Sequence, residues 1–332
     1  MVTCKTYRSP RKLCAIWAIM YAEGDYTPFQ SWISNWWYFV TYHLKGTRRQ
    51  YQPRFLLFMD GGKQCIIPIA VNDKQKRVLD FSVGGPIDYY DVLCTTRDVE
   101  FVKECLGEMR KLYKGYEIRL TNINESSLLI NALQEEAIVE EEKCAKIVFA
   151  SNKYENYYQS ISKHQRQNIR TGYNKLGREG MVWRIEKYDA KKTMPHGVRS
   201  KCLKMYEDRI RMKTRKSNGW RQRVVEWKNR QINIVNILAQ RWDRMASFVM
   251  FLNDEPVAYM FGVYSEKQDK FYVPRLSCNN QYLCYDTGIL MLNESIKILL
   301  KEGVRMIDLT RGDEPYKLAM GGIVHKNYGF RL

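Results

Sequence analysis

The stretch from residue 247 to residue 309 constrains the fold more than any other part of the chain. Residues 247–252 and 256–264 are rich in aromatic and β-branched side chains and meet across Asn253-Asp254, the composition of a hairpin. Residues 270–278 have the same character and predict a third strand. The period then changes. Across residues 288–301, Ile289, Leu292, Ile296, Leu299 and Leu300 share one helical face, and Gly303 stands where the helix must end. Residues 304–309 form a short apolar run of the buried-strand type. Mixed strands and helices around hairpins point to α/β or α+β and away from a solenoid.

The rest of the chain repeats this mixture. Ile33, Trp36, Trp37, Val40 and Leu44 recur at helical spacing within residues 28–44, with Pro28 at the first turn. Residues 54–59 and 65–71 flank Asp60-Gly61-Gly62 as a hairpin. Strand-like runs follow at 78–81 and 87–93. A helix is predicted at 97–113, a strand at 116–120, a short helix at 125–134 and a strand at 144–150. The pattern from 152 to 180 reads as one long helix closed by Gly180. A strand at 182–188 and helices at 199–213 and 219–241 come next. With 332 residues the chain suits two domains, and element order divides it into residues 1–150 and 151–332.

Hydrophobic residues make up 45% of the chain, enough for real cores. Nine cysteines without a CxxC pair argue against a zinc ribbon, any other metal centre of that kind, or a disulfide scaffold. They fit a reducing compartment, hence a cytoplasmic location. Residues 13–22 follow Arg8, Arg11 and Lys12, which superficially resembles a signal peptide. That apolar run is too short to span a bilayer, and Glu23-Gly24-Asp25 is no cleavage site, so a buried strand or helix is expected.

The net charge is +18, and residues 151–245 hold 24 basic against 8 acidic residues, a net +16. Such concentration suits an anionic partner: nucleic acid, a nucleotide-linked substrate, a phosphorylated carrier or a membrane surface, the last by peripheral association. A solvated helical face would give the same count.

Three places could carry chemistry. Thr287, Gly288 and Ile289 stand at the start of the 288–301 helix, beside the predicted sheet. Helix-end amides there can hold a pyrophosphate, and Gly288 permits close approach; an ordinary N-cap is the plainer reading. The second place is the polar segment that follows the strand ending at Leu309, running from Thr310 through Arg311-Gly312-Asp313-Glu314-Pro315 to Tyr316-Lys317. Ligand contacts gather at such strand ends, although a loop with Arg311 paired to Asp313 or Glu314 would look the same. The third is the basic stretch 160–180, where Arg166 and Arg170 share a helical face beside Lys163.

The run RGDEPYK, residues 311–317, closely resembles the signature of the CelD-like acetyltransferases, GNAT-type relatives of FemAB. In that family a hydrophobic strand with a terminal Asp leads into Arg-Gly-x-Glu-x-Tyr-Lys, and here Asp308, Arg311, Gly312, Glu314, Tyr316 and Lys317 stand at that spacing. The segments 28–37 and 84–93 also resemble the family's Phe-Gln-Ser-x-x-Trp and Asp-Tyr-x-Asp runs. The family's Ser-Pro-Gly is Asp286-Thr287-Gly288 here, where only the glycine agrees.

That resemblance implies two tandem GNAT-like domains, each a mixed central sheet flanked by helices, with the donor cleft in the second. It implies acyl-CoA, such as acetyl-CoA, as co-substrate and no permanently bound cofactor. Thr287, Gly288, Ile289 and Arg311 would hold the donor. Asp308 would orient or deprotonate, Tyr316 would protonate the leaving thiolate, Lys317 with Arg311 would hold anionic groups, and Glu314 completes the catalytic set. Lys163, Arg166 and Arg170 would face an anionic acceptor, a nucleotide-linked or lipid-linked sugar. By family analogy the acceptor is an amino sugar or polysaccharide precursor of envelope or exopolysaccharide biosynthesis. Two alternatives remain open at this point. A FemAB-type aminoacyltransferase would take aminoacyl-tRNA, whose phosphates suit the basic stretch. A non-enzymatic nucleic-acid or membrane-surface binding protein would need stacking aromatics, whereas Trp183, Trp220, Trp227 and Trp242 are spaced like core residues.

Overall fold

Strand pairing begins where the two glycines predicted it: Gly61 and Gly62 both take positive φ and close the hairpin of β2 (Gln52–Asp60) and β3 (Lys63–Asn72). The computed structural model describes residues 1–39, 52–72, 78–81, 87–214 and 244–332. The predicted helix at 219–241, with Trp220, Trp227 and Trp242, lies outside the described residues, as do Val40 and Leu44.

The described chain forms two compact units, one of residues 1–144 with 325–332, the other of residues 145–324. The sequence expectation ran the second domain to residue 332. Instead, residues 325–332 return to the first unit, where their strand pairs antiparallel with β6 (Glu117–Asn124). Buried polar residues fasten it: Asn124 bonds the ring of His325 at 3.0 Å and Asn327 at 3.0 Å, and Asn327 reaches the Asp88 carbonyl at 2.8 Å.

The sheet of the first unit also contains β1 (Thr3–Tyr7), β4 (Val78–Phe81) and the part of β7 (Ile138–Val148) up to Cys144, with β5 (Leu93–Cys94) beside β3. Most pairs are antiparallel, but β4 and β6 are parallel, as a connection through a helix requires. Its helices are α1 (Cys14–Glu23), α2 (Trp32–Tyr38), α3 (Val99–Leu112) and α4 (Leu128–Ala132). The apolar run at 13–22 is thus a helix: Trp17 and Met20 are fully buried against Phe55 and Ile66, and the Trp17 indole bonds the Gln30 carbonyl at 2.8 Å. The strand expected at 87–93 is mostly irregular. Asp91 explains this, because its carboxylate accepts the amides of Val92, Leu128 and Leu129 and draws the segment away from sheet geometry.

In the second unit, the long helix expected over 152–180 is two helices, α5 (Tyr154–Ser160) and α6 (Lys163–Arg178). Ser162 breaks it by turning extended and accepting the amide of Gln165, a local cap that competes with helix continuation. Next come β8 (Trp183–Tyr188), α7 (His196–Thr214), β9 (Met245–Leu252), β10 (Glu255–Tyr264) and β11 (Lys270–Cys278). Then α8 (Thr287–Lys301), β12 (Met306–Arg311) and the short α9 (Pro315–Ala319) follow. The sheet order is β12-β11-β10-β9-β8, antiparallel throughout except for β11 with β12. Helices α7 and α8 both pack on β10, so β9 and β10 are buried on both faces and read as nearly continuous apolar runs. Leu290, Leu292, Ile296 and Leu299 of α8 are fully buried, each contributing roughly 1.5–3 kcal/mol by burial.

Candidate active site

Strands β11 and β12 run together only briefly. Their register covers Lys270–Tyr272 against Met306–Asp308, yet β11 continues to Cys278 and β12 to Arg311. Two local features part them. Pro274 has no amide to donate to a ladder, and an extra residue on β11 creates a bulge opposite Phe261–Val263. Gly262 sits in that bulge because a Cβ there would lie 2.3 Å from the Phe271 ring. Thr310, at φ 55, turns its hydroxyl to the Val273 carbonyl at 3.2 Å, a side-chain bond in place of a ladder bond.

A cavity of 320 Å³ adjoins this opening, with Leu276 and Cys278 of β11, the start of α8, Arg209 of α7 and Tyr316 of α9 in its wall. The start of α8 supplies the cavity's donors. Asp286 takes a left-handed conformation at φ 53 and makes no side-chain cap; its carbonyl accepts the first helical bond, from Leu290 at 3.0 Å. The amides of Thr287, Gly288 and Ile289 are therefore without intrahelical partners, at the positive end of a 15-residue helix. Thr287 is fully buried, and its hydroxyl nears the Cys278 thiol without completing a hydrogen bond. Burial pushes that thiol up to about 11, against the smaller opposing effect of Thr287, so it stays neutral and unreactive.

Helix α6 braces this corner. Lys175 donates to the Cys284 carbonyl at 3.1 Å and lies over the Tyr285 ring, while the Tyr285 hydroxyl bonds Glu179. The Glu179 carboxylate, and to a lesser degree burial, pushes the Tyr285 phenol up to about 12.

The loop after β12 is held from within. Lys317 is only 3% exposed, and its ammonium donates to the carbonyls of Arg311 at 2.7 Å and Gly312 at 3.1 Å, with Glu314 Oε2 at 2.9 Å. The role expected for Lys317, holding anionic parts of a substrate, does not match this placement: its donors are spent on the loop. Burial alone would raise the Glu314 carboxyl, but the bond and charge of Lys317 outweigh it and hold it below the usual range. Asp308 is buried at the base of the opening and accepts the Thr310 amide at 2.8 Å, bending the end of β12.

Tyr316 lines the cavity, and no described residue bonds its hydroxyl. Burial and then the Glu314 charge raise its phenol well above the usual tyrosine range, with Arg209 opposing. It is a protonated donor facing an open space.

The structure thus brings Thr287, Gly288, Ile289 and Tyr316 to one cavity, while Asp308, Glu314 and Lys317 hold the end of β12 and the loop after it. Arg311 is exposed and contributes a carbonyl to Lys317. Lys163 and Arg170 are exposed on α6 and do not line the cavity. Arg166 differs from expectation: its guanidinium caps the end of α5, donating to the carbonyls of Gln159 at 2.8 Å and Ile161 at 2.7 Å. Arg209 and Cys278 were not singled out from sequence. Nothing in a helix rich in Lys and Arg marks one arginine as cavity-facing.

Parallel strands that part beside a helix start with free amides form the corner described above. Residues 163–318 match the family model described as an acetyltransferase (GNAT) domain. This match supports an acyltransferase, with the GNAT-type resemblance lying over residues 163–318. Its fold is similar to that of a conserved protein of unknown function from Bacteroides thetaiotaomicron, at 12% identity and a TM-score of 0.61, over 99% of this chain and 100% of that one. FemX is similar at 10% identity and a TM-score of 0.59, covering 98% and 96%. A tandem GNAT protein from the clavulanic acid biosynthesis pathway is similar at 9% identity and a TM-score of 0.52, covering 100% and 98%. These likenesses are of fold, and the last agrees with two GNAT-like units. No curated protein matches the sequence. Among the described residues no helix is long and apolar enough to cross a membrane.

Proposed function

We propose that the chain transfers an acyl group from acyl-CoA, with acetyl-CoA the simplest donor, to an amine or hydroxyl of an anionic acceptor. The observation that carries this reading is the cavity where the free amides of Thr287, Gly288 and Ile289 meet the opening between β11 and β12, with the Tyr316 phenol on its wall. The amides hold the donor's pyrophosphate, and the thioester lies along the parted strands. A backbone amide on that edge polarises the thioester carbonyl. The neutral acceptor nitrogen attacks the carbonyl carbon, the carbon–sulfur bond breaks, and Tyr316 passes its proton to the departing thiolate. The proton shed by the acceptor returns the phenolate to phenol through solvent. Asp308 acts by fixing the end of β12 through Thr310.

The acceptor class follows the resemblance at residues 311–317: an amino sugar carried on a nucleotide or lipid, of the kind used in polysaccharide assembly. Exposed Lys163 and Arg170 supply the matching charge. Calorimetry with acetyl-CoA, longer acyl-CoAs and UDP-amino sugars tests the reading. Absence of heat with every CoA would sink it, and a salt-sensitive gel shift with charged tRNA would put an aminoacyl donor in its place.

A further inference from the structure

Arg209 is a charged cavity-lining residue to which the roles above give no part. It enters from α7 into the cavity that it shares with the start of α8, and one guanidinium N–H donates to the Leu276 carbonyl. That bond spends one of five donors and orients the rest. Among the described residues no carboxylate forms an ion pair with it, although its charge is felt by Tyr316, Glu314 and Cys278. A half-buried, always-charged group with no counter-ion among the described residues, lining the same 320 Å³ cavity as three free helix amides, is an incomplete anion site. The buried and unpartnered Thr287 hydroxyl in the same wall is a second sign of a missing ligand.

We propose that Arg209 sets donor specificity: with the amides of Thr287, Gly288 and Ile289 it forms a two-sided seat for phosphate, selecting thioesters carried on phosphorylated pantetheine over unphosphorylated ones. The inference rests on the acyl-CoA reading and adds a residue that the helix end does not supply. Arg209 would touch the donor's phosphate, so its effect is read in donor affinity. A guanidinium matches two phosphate oxygens at once, which a lysine cannot do. If Arg209 were only a strut tying α7 to β11, its removal would weaken every donor alike.

The test is calorimetric titration of the full chain with CoA, 4′-phosphopantetheine and pantetheine, using wild type, Arg209→Met and Arg209→Lys, with thermal melts to verify folding. Wild type should bind CoA and phosphopantetheine more tightly than pantetheine. Arg209→Met should lose on the order of tenfold to a hundredfold for the two phosphorylated ligands and little for pantetheine, with Arg209→Lys intermediate. An equal loss for all three ligands, or none for CoA, would overturn the specificity role while the acyl-CoA reading stands. If wild type binds none of the three, both fall together.

Discussion

Gly288 packs so closely on Cys278 that a Cβ at position 288 would lie 2.7 Å from the cysteine sulfur. The start of α8 can approach β11 only because position 288 has no side chain. That approach brings the free amides and the parted strand edge into one cavity.

Gly288→Ala should therefore push the helix start off the strand and weaken CoA binding by on the order of tenfold. Cys278→Ala removes the clashing sulfur, so the double variant should recover much of the loss. Calorimetry on the four proteins of that cycle checks this; additive losses would show that the contact is not the cause.

Lys317→Met should destabilise the protein by about 1–3 kcal/mol, because the carbonyls of Arg311 and Gly312 lose their buried donor. Urea unfolding measures it. A variant with unchanged midpoint but lost CoA binding would restore Lys317 as a ligand contact.

Tyr316→Phe keeps the cavity wall and removes the proton. Turnover, followed as thiol release, should fall by roughly 10²–10⁴-fold with the CoA dissociation constant little changed. Since burial raises the Tyr316 phenol, wild-type turnover should show no alkaline loss from this group below about pH 10.

Asp91 gives a pH signature in stability. Burial raises its carboxyl to about 6, above the unfolded value of about 3.9, so between those pH values the folded state keeps a proton that the unfolded state releases. Its contribution is full below about pH 4 and is lost as pH rises to about 6. Melting temperature should carry that downward component in wild type, and Asp91→Asn should lack it. An identical pH slope in both proteins would refute the assignment.

Local chemistry made much of this fold readable. The hairpins at Gly61-Gly62 and Asn253-Asp254, the amphipathic α8 and the end of α6 at Gly180 all follow from residues that act on their immediate neighbours. Where reading failed, a competing local bond or a distant partner decided. Ser162 divided a helical pattern by capping its own second half, and Asp91 drew an apolar run out of the sheet by binding amides at Leu128 and Leu129. The last strand was not foreseen, since its partner β6 lies about two hundred residues earlier in the chain.

By itself the sequence determined the mixed strands and helices, the run RGDEPYK after a strand, and a glycine where a helix meets the sheet. Each depends on periodicity or spacing, which a chain carries without its fold. Tertiary structure decided which charges serve and which support. Lys317 and Arg166 are spent on backbone carbonyls, whereas Arg209, ordinary in sequence, faces the cavity with donors to spare. The physical reason is that a cation's role depends on which acceptors surround it after folding, and those come from segments far apart in the chain.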